Sequence, residues 1–171
     1  MAERILVAGI GNIFLGDDAF GCEVVKRLAG GGMPEGVEVV DFGIRGFDLA
    51  YALHDGYEAV IFVDALPRGE EPGTVYLIEP EIEDEGEVTL DTHGMDPVKV
   101  LRLARALGAR MPRTLVVGCE PQNIPGRGGS QTDPYDDMLM ELSEPVQAAV
   151  EEAANLVKSL VREMAEVNSK S

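Results

Sequence analysis

Five acids and one histidine carry the chemistry open to this chain. Asp17 and Asp18 follow the apolar run Ile5 to Ala8 and the turn Gly9-Ile10-Gly11-Asn12. Asp41 closes the run Val37 to Val40, Asp64 closes Ala59 to Val63, and Glu120 follows Thr114 to Gly118. If those runs are neighbouring strands, their acids converge on one edge of a sheet. Carboxylates so close are costly unless a cation stands among them. His93, in Thr92-His93-Gly94, adds a nitrogen donor. Asp18, Asp64 and His93 then form an O, O, N set with open positions, suited to a divalent ion such as nickel, zinc or manganese. Each also has a plainer account: Asp18 as a helix N-terminal acid, Asp64 as a turn cap before Pro67, His93 as a satisfied polar group at a helix entry. Their conjunction favours the metal site. Asp17 reads mainly as a helix-entry charge, and His54, in His-Asp-Gly, as a partner for a helix C-terminus.

The elements that must hold these groups alternate. The first strand runs from Arg4 to Gly9, and a helix from Asp17 to Ala29 has Phe20, Val24, Val25 and Leu28 on one stripe. Gly30-Gly31-Gly32 and Pro34 end it. Val37 to Val40 is a second strand, Phe47 to His54 a short helix, and Ala59 to Val63 a continuous apolar strand that belongs at the centre of a sheet. Gly73 to Ile78 suits an antiparallel edge. Asp96 and Pro97 begin a helix to Leu107 as N-cap and first helical residue. Thr114 to Gly118 is another buried strand, and a final helix runs from Glu144 to Glu163 or beyond, with residues 165–171 as a frayed tail. Strands alternating with helices predict an α/β fold, one domain over residues 1–171, with a sheet covered on both faces.

Composition narrows the partners. At 45% hydrophobic and 26% charged residues the chain is globular. Its net charge of −17 repels phosphate, so nucleic acid and anionic membrane are poor partners and a metal or a basic protein surface fits better. Much of that charge is also simply solvated surface. Cys22 and Cys119 lie far apart and read as incidental thiols rather than a disulfide or a nucleophile. The start, Met1-Ala2-Glu3-Arg4, leads straight into a strand and offers no signal peptide, so a cytoplasmic location is the expectation. Gly9-Ile10-Gly11 matches two glycines of a dinucleotide turn, but Phe14 occupies the third position and two carboxylates follow, which repels a pyrophosphate. No organic cofactor is expected, and neither a phosphate-loop lysine nor a serine elbow occurs.

Taken together, Gly9-Ile10-Gly11-Asn12 with Asp17-Asp18-Ala19-Phe20-Gly21, Asp41-Phe42-Gly43-Ile44-Arg45-Gly46, Val63-Asp64-Ala65, Thr92-His93-Gly94-Met95 and Val117-Gly118-Cys119-Glu120-Pro121 resemble the [NiFe]-hydrogenase maturation endopeptidases. The resemblance spans residues 4 to about 160, and the motifs are specific in this order. It implies a three-layer α/β/α fold with a twisted, mainly parallel sheet. It implies removal of a C-terminal extension from the large-subunit precursor after nickel insertion. Asp18, Asp64 and His93 fall on the family's metal-contacting positions, where nickel is supplied by the substrate and serves as a recognition element. The expected partner is thus the nickel-loaded precursor, acted on by a monomer, with Asp41 a candidate general base. The stretch 122–133, with Arg127, is longer than the family's usual loop, and the acidic segment 79–91 is particular to this chain. A self-contained zinc hydrolase and a non-catalytic nickel chaperone are the alternatives.

Overall fold

A computed structural model describes residues 4–81, 96–122 and 141–169. Five strands form one sheet: β1 (Ile5–Ile10), β2 (Val37–Gly43), β3 (Ala59–Ala65), β4 (Val75–Ile78) and β5 (Arg113–Cys119), in the order β2-β1-β3-β5-β4. The first four of that row are parallel; β4 runs antiparallel to β5 and forms the expected edge. Four helices cover the sheet: α1 (Phe20–Leu28), α2 (Gly46–Ala52), α3 (Pro97–Ala106) and α4 (Glu144–Ser169).

Strand alternation divides the core in two. Ile5 and Val7 of β1, Ile61 and Val63 of β3, and Leu115 and Val117 of β5 face α1 and α4. Leu6 and Ala8, Val60 and Phe62, and Val116 face α2 and α3. β3 is central and buried along its whole length, as a continuous apolar run requires. Each fully buried Leu or Phe contributes about 1.5–3 kcal/mol. The chain is thus the three-layer α/β/α arrangement the sequence predicts. None of the described helices is long and apolar enough to cross a membrane.

Several boundaries differ from the sequence reading. β2 and β3 run past Asp41 and Asp64, because Gly43 still pairs with Ile10 on β1 and because β5 offers Gly118 and Cys119 as partners for Asp64 and Ala65. The stretch read as the start of the first helix is a separate 3₁₀ turn, Gly16–Ala19. α4 continues to Ser169, so most of the stretch read as frayed tail is helical. Asp96 and Pro97, by contrast, cap and open α3 as expected, with Asp96 Oδ1 accepting from the Val98 N–H at 2.8 Å.

β1 and β3 lie side by side, yet α1 leaves β1 over one face and α2 enters β3 from the other. Their carboxyl ends therefore flank a topological switch point, where a crevice opens in sheets of this kind. α1 reaches it through Gly21: a Cβ there would stand 2.1 Å from the Val63 carbonyl oxygen and 2.4 Å from that of Ile10. Those neighbours are rigid strand backbone. Gly21→Ala should cost about 3 kcal/mol. Gly31→Ala, at a positive φ of 115° with open space around it, should cost about 1 kcal/mol. Urea unfolding midpoints of the two variants measure the difference.

Candidate active site

The first turn is built around Asp18. Gly11 has φ +146°, and a Cβ on it would stand 1.8 Å from the Asp18 carbonyl oxygen, so only glycine lets the chain fold back so tightly. Leu15 N–H donates to the Asn12 carbonyl and Asp18 N–H to that of Leu15, each at 3.1 Å. Asp18 Oδ2 accepts from the Asn12 N–H at 2.9 Å, which fixes the carboxylate beside the end of β1. The 3₁₀ turn that carries it touches β3, whose Asp64 is only 4% exposed.

The second loop brings Asp41 to the same edge. Gly11 N–H donates to the Gly43 carbonyl at 2.9 Å and joins the two glycine turns. The register slips by one between Gly9, opposite Asp41, and Ile10, opposite Gly43. That irregularity buries Phe42 and leaves Asp41 exposed. Asp41 Oδ1 accepts from the Gly43 N–H at 2.9 Å, and Arg45 Nη2 donates to the Asp41 carbonyl at 2.7 Å. Arg45 thus straps the loop that presents Asp41. Sequence reading gives this arginine no role of its own, although a donor-rich side chain four residues beyond the strand acid is a signal for one.

Convergence of the three acids is felt at Cys22. The buried thiol donates to the Gly11 carbonyl at 3.5 Å. Burial pushes it far above the ordinary thiol range, and Asp41, Asp18 and Asp64 push it further. Cys119 is raised to about 12, first by burial and then by Asp17 and Glu120. Both stay protonated thiols at neutral pH, which removes them as nucleophiles. A cleft of about 990 Å³, lined by Ile13, Cys22, Asp41, Lys26, Glu141 and Gln147 among others, opens beside Asp41.

Among the described residues no three His, Cys, Asp or Glu side chains are grouped closely enough to hold a metal ion. Asp18 lies on the 3₁₀ turn that contacts β3, and Asp64 lies in β3 itself; His93, the third of the expected set, lies outside the described residues, as do Arg127 and residues 82–91. His54 sits exposed just after α2, its N–H on the Tyr51 carbonyl, ahead of β3 and so toward the other end of that strand from Asp64.

Two acids have other duties than the sequence suggested. Asp17 stands in the first turn of the 3₁₀ helix, as a helix-entry acid would, but its carboxylate is taken up by distant donors. It is 0% exposed, and its carboxylate accepts from the Gln122 N–H at 2.8 Å, the Ser143 N–H at 2.7 Å and the Ser143 hydroxyl at 2.8 Å. It ties the end of β5 and the approach to α4 to the turn that carries Asp18. Glu120 does not join the crevice acids either. It turns to the loop after β3, accepting from the Arg68 N–H at 2.6 Å, the Gly69 N–H at 3.0 Å and the Tyr76 hydroxyl at 2.9 Å. Burial alone would raise its pKa, but the Arg68 N–H, the Tyr76 hydroxyl and the Gly69 N–H together hold it below the ordinary glutamate value.

Asp17→Ala leaves three donors without that acceptor and should lower stability by about 3 kcal/mol, read as a fall in the urea midpoint. Glu120 binds its proton less tightly folded than unfolded, so its contribution is full above the ordinary value of 4.5 and fades as pH falls through the lower folded value. The stability gap between wild type and Glu120→Gln should therefore close on acidification, in unfolding curves taken between about pH 7 and about pH 3.

Comparison with known proteins agrees with this architecture. The family described as hydrogenase maturation protease matches residues 22–160. A Methanocaldococcus jannaschii protein that carries the same family name is 32% identical over 91% of this chain and 94% of its own. The hydrogenase expression/formation protein HupD of Bradyrhizobium diazoefficiens is 34% identical over 80% of this chain and 72% of its own. Among solved structures, the hydrogenase maturating endopeptidase HybD of E. coli superposes with a TM-score of 0.70 at 28% identity, covering 94% of this chain and 93% of that one. The match over most of the length, on the same sheet, means that this chain belongs to the hydrogenase maturation protease family and is an endopeptidase.

Proposed function

We infer that this endopeptidase removes the C-terminal extension of a [NiFe]-hydrogenase large-subunit precursor once nickel has been inserted. The observation that carries the reading is Asp18 on the 3₁₀ turn that contacts β3, with Asp64 near the carboxyl end of that strand, at the switch point of a chain in the maturation protease family. Both thiols are buried and held protonated, which gives no support to cysteine catalysis, and the described acids at this edge are Asp18, Asp41 and Asp64.

In this reading nickel arrives in the precursor, held there by thiolates, and gains Asp18, Asp64 and His93 as further ligands. Carboxylate and imidazole donors suit a borderline divalent ion. Anchoring the ion fixes the adjoining peptide bond in the acidic crevice, so most of the rate gain comes from orientation. Water then adds to the scissile carbonyl and the C–N bond breaks, leaving a new carboxylate and a free amine. Either the ion acting as Lewis acid or Asp41, exposed beside the cleft, takes up the task of activating that water. The protein acts as a monomer in the cytoplasm and holds no metal of its own.

Incubating the protein with nickel-free and nickel-loaded precursor tests this directly. Mass spectrometry should find a shortened C terminus only with nickel. Equal cleavage of both forms would sink the recognition role and indicate a resident-metal hydrolase. Asp18→Asn keeps an acceptor for the Asn12 N–H but removes the charge. It should fold normally and process the loaded precursor about 100-fold more slowly.

A further inference from the structure

α2 is apolar on both sides. Leu49 and Ala50, with Leu53 just beyond, pack inward on the sheet and α3. On the opposite side Phe47 and Tyr51 stand 50% and 64% exposed, and Ile44, just ahead of the helix, 66%. Phe47 and Tyr51 are four apart, the spacing of one helix face, and Ile44 stands in the loop that enters the helix. Tyr51 and His54 extend the row, with ring centroids 6.4 Å apart. Ile13 and Phe14, on the turn tied to Gly43 through Gly11, are also about half exposed. Five of the seven exposed large apolar residues among the described ones thus belong to the two segments that follow β1 and β2. Scattered exposed leucines need no account, but a row of aromatic and β-branched side chains with no inward role does.

The rim of this row is acidic. Asp41, Asp48 and Asp55 are exposed along it, and the nearby cation Arg45 is engaged by Asp48 and by the Asp41 and Phe42 carbonyls. A second copy would bring the same acids and a further −17 of charge against them. Anionic lipid is repelled for the same reason. A protein surface with an apolar centre and a basic border complements it.

We propose that the outer face of α2, with Ile44, Phe47 and Tyr51 at its centre, is the surface on which the folded body of the large-subunit precursor docks, while its C-terminal segment enters the crevice. The row begins at Gly43, where the second glycine turn joins the first, so a partner seated on it lies beside Asp41 and Asp18. The proposal rests on the function inferred above and adds the surface that selects the substrate. Aromatic anchors of this kind typically dominate a protein interface.

The test uses the full chain and nickel-loaded precursor. Phe47→Ser with Tyr51→Ser should raise KM for processing about tenfold, leave kcat near the wild-type value and leave the melting temperature unchanged. Leu77→Ser and Leu107→Ser, exposed apolar positions elsewhere, serve as controls and should change neither constant. An unaltered KM in the double variant, with wild type active, would overturn the docking surface and leave the inferred function standing. Failure of the wild type to shorten the precursor would overturn that function and, with it, the occupant named here. Sedimentation of the wild type as a dimer that the double variant abolishes would assign the face to a second copy instead.

Discussion

The structure depends on how closely the chain's first turn packs against bare strand backbone. Gly21 lets α1 settle on the carbonyls of Ile10 and Val63, and Gly11 lets the preceding turn fold onto the backbone of Asp18. Both approaches leave no room for a Cβ. Together they place the 3₁₀ turn over the ends of β1 and β3, at the point where the chain's path reverses across the sheet. Asp18 is carried on that turn against the strand that holds Asp64. Fragments of the same motif would not place the turn there, because the glycines are useful only against those particular carbonyls.

The adjacent acids at positions 17 and 18 divide two tasks by pointing in different directions. Asp18 turns back to its own loop, while Asp17 is fully buried and collects donors from Gln122 and Ser143, more than a hundred residues away. A buried carboxylate is tolerable when several N–H and O–H groups replace its water. Here the same bonds register the β5 end and the α4 approach against the turn that carries Asp18. Glu120 uses its charge in the same manner on the loop after β3. A chain of net charge −17 therefore contains at least two acids whose charge holds loops in register.

The crevice electrostatics follow from this arrangement. Burial first, and then Asp41, Asp18 and Asp64, raise the Cys22 thiol, as expected where acids gather at one edge. Such an edge favours a cationic group arriving from outside and disfavours a thiolate or phosphate there. The apolar row along α2 lies next to that edge but is chemically distinct from it. Recognition by shape and reaction by charge can then occupy neighbouring surfaces of one small protein.

Most of the fold was legible in the chain. Apolar runs of strand length, the stripe Phe20, Val24, Val25 and Leu28, and the Asp96-Pro97 helix start are local signals, and each was found where its period or capping chemistry put it. An α/β sheet covered on both faces followed from their alternation, and its mainly parallel order from the family resemblance. The acids at strand ends were also visible, because a strand's end is a local event. What those acids do was not. Whether a carboxylate faces a crevice, a loop or its own turn depends on donors brought near by folding, as Gln122 and Ser143 are to Asp17 and the Arg68–Gly69 backbone is to Glu120. The ends of β2 and β3 escaped for a related reason: a ladder continues as long as a neighbour offers partners, and Gly118 and Cys119 offer them beyond Asp64. Sequence by itself determined the elements and the residue types available for chemistry, since these rest on short-range periodicity. Tertiary structure alone decided which acids meet, since that depends on contacts between residues far apart in the chain.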